Sequence, residues 1–159
     1  ETVIKTFDRS YEESIISKKT QTRITSRLAR NIHDLYSNQQ EFRFAIRTIY
    51  DDKCCIIGNS ISTGETINCE AAHIKPFSTG GNHAAKNGLL LSRDLHWAFD
   101  KGCFTIDQSY EIKVHKKMKS SSLGKYDGKK IKLPNKDFWP SIKNITYHNQ
   151  EIFLKFKGS

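Results

Sequence analysis

The feature that most limits how this chain can fold is the stretch from Cys69 to Cys103, which reads CEAAHIKP, a polar loop, then NGLLLSRDLHWAFDKGC. Thr66 to Ile74 consists of short, β-compatible residues, and Pro76 removes a backbone donor and closes a strand there. Side chains alternate along a strand, so Glu70 and Ala72 are expected on one face and Ala71 and His73 on the other, with His73 at the strand's end. The loop FSTGGNHAAK has a Gly-Gly pair and no hydrophobic periodicity, which predicts an exposed connection. The chain returns at Asn87-Gly88, and the run Leu89-Leu90-Leu91 enters the core. Ser92 suits the N-cap of a short helix, Arg93 to Asp100, that Gly102 ends. On that helix His96 and Asp100 are i and i+4 and share a face, while Leu95 and Phe99 anchor the neighbouring face to the sheet. A metal ion would fit between the helix face and the strand.

These residues resemble an HNH nuclease of the ββα-metal fold, in the subgroup whose first motif reads A-H-I-x-P. The similarity extends over roughly residues 39 to 157, taking in QQEFRFAIRTIYDDKCCIIGN before the core and FDKGCFTID, LP and YHNQEIF after it. The resemblance implies an α+β chain with a ββα-metal core, an N-terminal helical segment and an added β-hairpin. It implies that His73 is the general base, that Asn87 orients it or supports the metal, and that His96 is the third motif residue. Many relatives carry an Asp or His ligand directly before the base, where this chain has Ala72; Glu70, two residues earlier, is then a candidate ligand beside His96 and Asp100.

Phosphodiester cleavage has a use for each type. A neutral imidazole near its ordinary pKa of about 6.5 takes a proton from water at neutral pH. A divalent cation offsets charge developing on the phosphate and stabilises the leaving oxygen. One such ion is expected, Mg²⁺ or Mn²⁺ first, with Ni²⁺ or Zn²⁺ compatible with mixed imidazole and carboxylate ligands. A structural zinc is not expected: Cys54 and Cys55 are adjacent and Cys69 and Cys103 stand alone, which is not the spacing of paired CxxC knuckles. Reduced, buried thiols are the expectation instead.

Charge points to the partner. Lys and Arg total 26 against 17 Asp and Glu, a formal +9, which favours a polyanion. No apolar run approaches the length of a membrane span and no signal-peptide core is visible, so nucleic acid is preferred over a membrane surface. Arg43 and Arg47, i and i+4 on a helix over Gln40 to Tyr50, are candidate phosphate contacts, as are Lys75, Arg93 and Lys101. For the arginine pair, bonding to nearby carboxylates is the competing reading. On the same helix Phe42, Ala45, Ile46, Ile49 and Tyr50 form the apolar face.

The rest of the chain supports this centre. At 159 residues it suits one cored domain. Residues 1–38 read as a tail or linker and an amphipathic helix, with Ile24, Leu28, Ile32, Leu35 and Tyr36 at helical spacing and Arg23, Arg27 and Arg30 alongside; residues 39–159 read as the nuclease domain. Glu1 at the start suits a processed or excised piece. Cys103 to Asp107 and Tyr110 to His115 predict a hairpin. Lys113, Lys116, Lys117, Lys119, Lys125, Lys129, Lys130 and Lys132 then predict a flexible basic loop suited to phosphates. Pro134 and Pro140 bracket Phe138 and Trp139 as an aromatic plug, and Tyr147, Ile152 and Phe153 are expected to point inward.

The reading is a metal-dependent endonuclease acting on double-stranded DNA in restriction or another defence system, in the cytoplasm of a bacterium or encoded by a phage. A homodimer or fusion to a further domain is compatible with it. The competing reading is a non-catalytic DNA-binding module that keeps the fold, suggested by the ligand missing at Ala72; RNA as substrate is a lesser variant, since no single-strand stacking motif is evident.

Overall fold

A computed structural model of the chain describes residues 17–30, 36 and 38–158. Among them the order is α1 (Lys18–Arg30), α2 (Gln39–Ile49), β1 (Cys69–His73), β2 (Gly88–Ser92), α3 (Arg93–Lys101), β3 (Phe104–Ile106), β4 (Ile112–Val114) and α4 (Ile142–His148), which runs into a π-helical turn at Asn149–Phe153. The fold is α+β, with two separate two-stranded antiparallel sheets, β1–β2 and β3–β4.

The centre is the ββα unit β1–β2–α3. β1 and β2 pair with Cys69 opposite Ser92, Ala71 opposite Leu90 and His73 opposite Gly88. Every residue of β2 is buried; Leu89, Leu90 and Leu91 are fully so, each contributing on the order of 1.5–3 kcal/mol of apolar burial. α2 lies against both strands through Phe42, Ala45 and Ile46. A Cβ at Gly88 would lie 2.3 Å from Ile46 Cδ1, so the missing side chain is what lets helix and strand approach. Asn38 caps α2 by accepting from Glu41 N.

α3 ends as expected at Gly102, in the left-handed region at φ 83°. Its start differs from expectation: Ser92 stands at the N-cap but makes no side-chain capping bond. Arg93 N instead donates to Asn68 O at 3.1 Å, because Ser92 is still the last residue of β2 and pairs with Cys69. Leu95 and Phe99 are buried, as the i, i+4 spacing predicts.

The hairpin forms where expected. Asp107 Oδ1 accepts from both Ser109 N and Glu111 N, and Tyr110 takes a positive φ of 62° in the turn. The lysine-rich segment after it is not the flexible loop expected. Ile112 N donates to Lys129 O, Gly128 N to Ile112 O and Ile131 N to Tyr110 O, so it returns along the hairpin edge. Leu123 and Ile131 are buried between the lysines, and that apolar anchoring orders the segment.

Two further expectations are corrected. The first helix begins at Lys18 rather than Ile24 and is described to Arg30; residues 31–35, with Ile32, His33 and Leu35, lie outside the described residues. In the C-terminal segment Ile145 and His148 are the buried residues, while Tyr147, Ile152 and Phe153 are only half-buried. The Phe138–Trp139 segment does cover the core. Phe138 packs on it, Trp139 Nε1 donates to Pro134 O at 3.1 Å, and Tyr110 Oη donates to Pro140 O at 2.9 Å.

Candidate active site

Three elements open onto a cavity of about 420 Å³ lined by Arg43 of α2, Glu70 and His73 of β1, and His96 and Asp100 of α3, with Phe77 at its edge. Strict alternation puts Glu70 and His73 on opposite faces, yet both reach this cavity. β1 is one strand of a two-stranded ribbon, where twist is large, and the glutamate stem is long enough to lean over the edge. Ala72 is fully buried and does not line the cavity, so Glu70, not a substitute at position 72, supplies the carboxylate beside His96.

His73 stands at the end of β1 on the ring of Phe42, with centroids 4.1 Å apart and planes 10° from parallel. Its Nε2 is 3.0 Å from Nδ1 of His83. Burial, followed by the neighbouring His83 and His96, pushes its pKa down to about 4. The ring is therefore neutral at pH 7 and has a lone pair, but it is a weaker proton acceptor than the expected imidazole near 6.5, because burial disfavours its charged form.

Asn87 is fully buried and does not touch His73. Its Oδ1 accepts from Lys75 N at 2.9 Å, and its Nδ2 donates to Lys75 O and Asn82 O, both at 3.0 Å. Its backbone O accepts from Ile74 N at 2.9 Å. The side chain thus clamps the chain directly after His73 to the loop that carries His83. Among the described residues the Asn87 side chain makes no hydrogen bond to His73 itself.

His96 lies between two carboxylates: Nδ1 is 2.7 Å from Glu70 Oε2 and Nε2 is 3.2 Å from Asp100 Oδ2. Burial pulls its pKa down, but the hydrogen bonds and charges of Asp100 and Glu70 prevail and raise it to about 9. Among the described residues no group of three or more His, Cys, Asp or Glu side chains is set to hold a metal as it stands. The expected trio does not converge on one point because the two carboxylates meet opposite nitrogens of one ring. The donor types still suit a divalent cation. One ring nitrogen and the carboxylate beside it would bind it once the shared proton leaves, while the second carboxylate holds the other N–H and orients the ring.

The basic candidates separate. Arg43 is buried and lines the cavity. Arg47 bonds Asp52 through Nε–Oδ1 at 2.7 Å, the carboxylate alternative. Lys75 lies 4.7 Å over the ring of Tyr147, Arg93 pairs with Glu70 at 3.5 Å, and Lys101 is exposed outside the cavity lining. Arg23 pairs with Glu41. The side chains of Arg27 and Arg30 lie outside the described residues. All four cysteines are free and buried; burial raises the pKa of Cys69 to about 11 and pushes Cys55 and Cys103 upward.

Sequence reasoning missed His83 and His148. The first sits in the loop read as a mere connection; the only signal was its being the one imidazole between the two halves of the motif. The second was folded into an apolar tail pattern, although it is among the largest fully buried side chains.

Residues 54–107 match the family model described as HNH endonuclease. Among solved structures, a chain titled "Modification dependent TagI restriction endonuclease" superposes with a TM-score of 0.54 at 19% identity, over 70% of this chain and 37% of that one. That likeness concerns the fold. No curated protein matches in sequence.

Proposed function

We propose, from the premise that residues 54–107 form an HNH endonuclease domain, that the chain hydrolyses phosphodiester bonds in double-stranded DNA with one divalent cation, and that His73 is its general base. The observation that carries this is the shared cavity of a neutral imidazole, His73, and a carboxylate-flanked imidazole, His96, with the Arg43 side chain at the same wall. His73 takes a proton from the attacking water. Arg43 holds a phosphate oxygen by charge-assisted hydrogen bonding. Asn87 keeps the base in register by pinning the Lys75 backbone. When bound beside His96, a divalent cation offsets charge on the scissile phosphate and stabilises the leaving oxygen.

The formal +9 and the ordered lysines along the hairpin edge support a nucleic-acid partner. A place in restriction, and with it a cytoplasmic location, follows by analogy with the restriction endonuclease that shares the fold. The chain spans 37% of that protein, so this role belongs to the proposal. No helix among the described residues is long and apolar enough to cross a membrane.

Plasmid nicking with and without Mg²⁺ or Mn²⁺ tests the reading. Conversion of supercoiled plasmid to nicked or linear DNA that needs the metal is expected. DNA binding without cleavage under every metal would leave the non-catalytic module, which the linear Glu70–His96–Asp100 arrangement favours as the second reading.

A further inference from the structure

We infer that His83 is a positioning residue for the base: its Nδ1 accepts the Nε2–H of His73 and leaves the other nitrogen of His73 bare toward the cavity. The inference rests on His73 being the base.

The 3.0 Å separation of His73 Nε2 and His83 Nδ1 is a hydrogen bond, so one nitrogen carries the hydrogen and the other does not. With both rings neutral, two arrangements exist. If His83 donates, His73 accepts at Nε2 and carries its own hydrogen on Nδ1, and no lone pair remains to receive a proton from water. If His73 donates, its Nδ1 is bare. That nitrogen has no hydrogen-bond partner among the described residues. No side-chain nitrogen or oxygen buried among them lacks a partner, so Nδ1 lies where solvent reaches it, on the cavity that His73 lines. Only the second arrangement gives the ring a basic nitrogen where a water and a phosphate can stand.

The loop is built to deliver His83 to this place. A Cβ at Gly81 would lie 1.9 Å from Lys75 O, so only glycine lets the loop fold flat against the chain that follows His73. Gly81 N donates to Pro76 O at 2.9 Å, and Asn87 ties Lys75 O and Asn82 O together. Phe77 stacks on the His83 ring at 4.6 Å and 6°, and Tyr36 N donates to His83 O at 3.3 Å. Phe42 beneath His73 and Phe77 against His83 thus hold the two rings at a fixed relative angle. A carboxylate commonly fixes a catalytic imidazole; here a second imidazole does so without adding a negative charge beside the phosphate.

Long-range ¹H–¹⁵N NMR on the metal-free protein reads the tautomer directly. The expected result is hydrogen on Nε2 of His73 and a bare Nδ1 on His83; hydrogen on Nδ1 of His73 overturns the inference. His83→Leu should lower the single-turnover cleavage rate about 10–100-fold, the order of effect of removing a group that orients a metal-ligating imidazole, with DNA affinity little changed. His83→Asn, which keeps an acceptor oxygen near the Nδ1 position, should stay within about threefold of the wild-type rate. Wild-type cleavage by His83→Leu, or His83→Asn as poor as His83→Leu, counts against the role. Should the protein cut no DNA with any metal, the tautomer measurement still decides, and the failure belongs to the proposed nuclease activity. Full cleavage by His73→Ala would remove the premise without altering the tautomer result.

Discussion

Two histidines of the fold stand in nearly the same setting. His73, at the end of β1, lies on Phe42 at 4.1 Å and 10°; His148, at the end of α4, lies on Phe99 of α3 at 3.7 Å and 3°. Burial, first among the causes at each, drives both pKa values to about 4. They differ in what remains free. His148 Nε2 is 2.8 Å from Phe99 O and must donate to it, and its Nδ1, 2.8 Å from Thr105 Oγ1, is left to accept. Both nitrogens are committed to the fold. His73 commits one nitrogen to His83 and keeps the other at the open cavity. A shifted pKa and an aromatic stack therefore do not separate the two rings; a nitrogen left bare beside open volume does, and the proposed role of His73 rests on that difference.

The strongest way to break the comparison is to remove each ring in turn. His73→Ala should lower plasmid cleavage by about 10²–10⁴-fold, the range for a general base, while the thermal midpoint barely moves. His148→Ala should leave cleavage per folded molecule within a few-fold. It should destabilise the fold by about 3–4 kcal/mol in urea titration, since it opens a cavity against Phe99 and strips the partners from a buried carbonyl and hydroxyl. A folded His148→Ala protein as inactive as His73→Ala would erase the distinction.

A smaller effect comes from pH. His148 titrates near 6.5 in the unfolded chain and near 4 in the fold, so between these values the unfolded state binds more protons. Stability should be fully present above pH 6.5 and fall as pH drops toward 4, by about 3 kcal/mol from this residue. His73 adds to the loss in the same direction, discounted by its place at the cavity. His148→Gln should flatten the dependence of the urea midpoint on pH over that window; an unchanged slope would assign the loss to other groups.

The smallest effect concerns the two arginines of α2. Arg43 lines the cavity, and Arg47, one turn on, bonds Asp52 outside it. Arg43→Ala should weaken DNA binding about tenfold, the cost of one charge-assisted hydrogen bond. Arg47→Ala should change it less than about threefold, because its guanidinium is turned to Asp52 and lies outside the cavity lining, leaving only a screened charge to act on the DNA. Equal losses in a gel-shift titration would mean that the DNA reaches past the cavity to break the Arg47–Asp52 pair.

Spacing alone carried the local half of this description. The leucine run buried as β2, Gly102 closing α3, His96 and Asp100 one turn apart, and Asp107 turning the hairpin all follow from interactions among residues near in sequence, whose geometry the backbone repeats, whereas β1 covers only Cys69–His73 of the strand expected from Thr66 to Ile74 and stops short of Pro76. What needed the tertiary structure was each choice between equally spaced alternatives. Arg43 and Arg47 look alike on α2 until β1 and the turn at Asp52 occupy its two sides. Leu123 and Ile131 sit among lysines with no readable face until the hairpin edge offers them carbonyls and a core. Glu70 and Asp100 each satisfy the rule for a ligand, and only the position of the His96 ring between them shows that they meet opposite nitrogens. His83 is the extreme case: a polar loop has no periodicity to place its side chains, so the meeting with His73 depends on Gly81 lying flat on Lys75 and on Asn87 binding both ends of the loop, contacts that exist only once the chain has closed on itself.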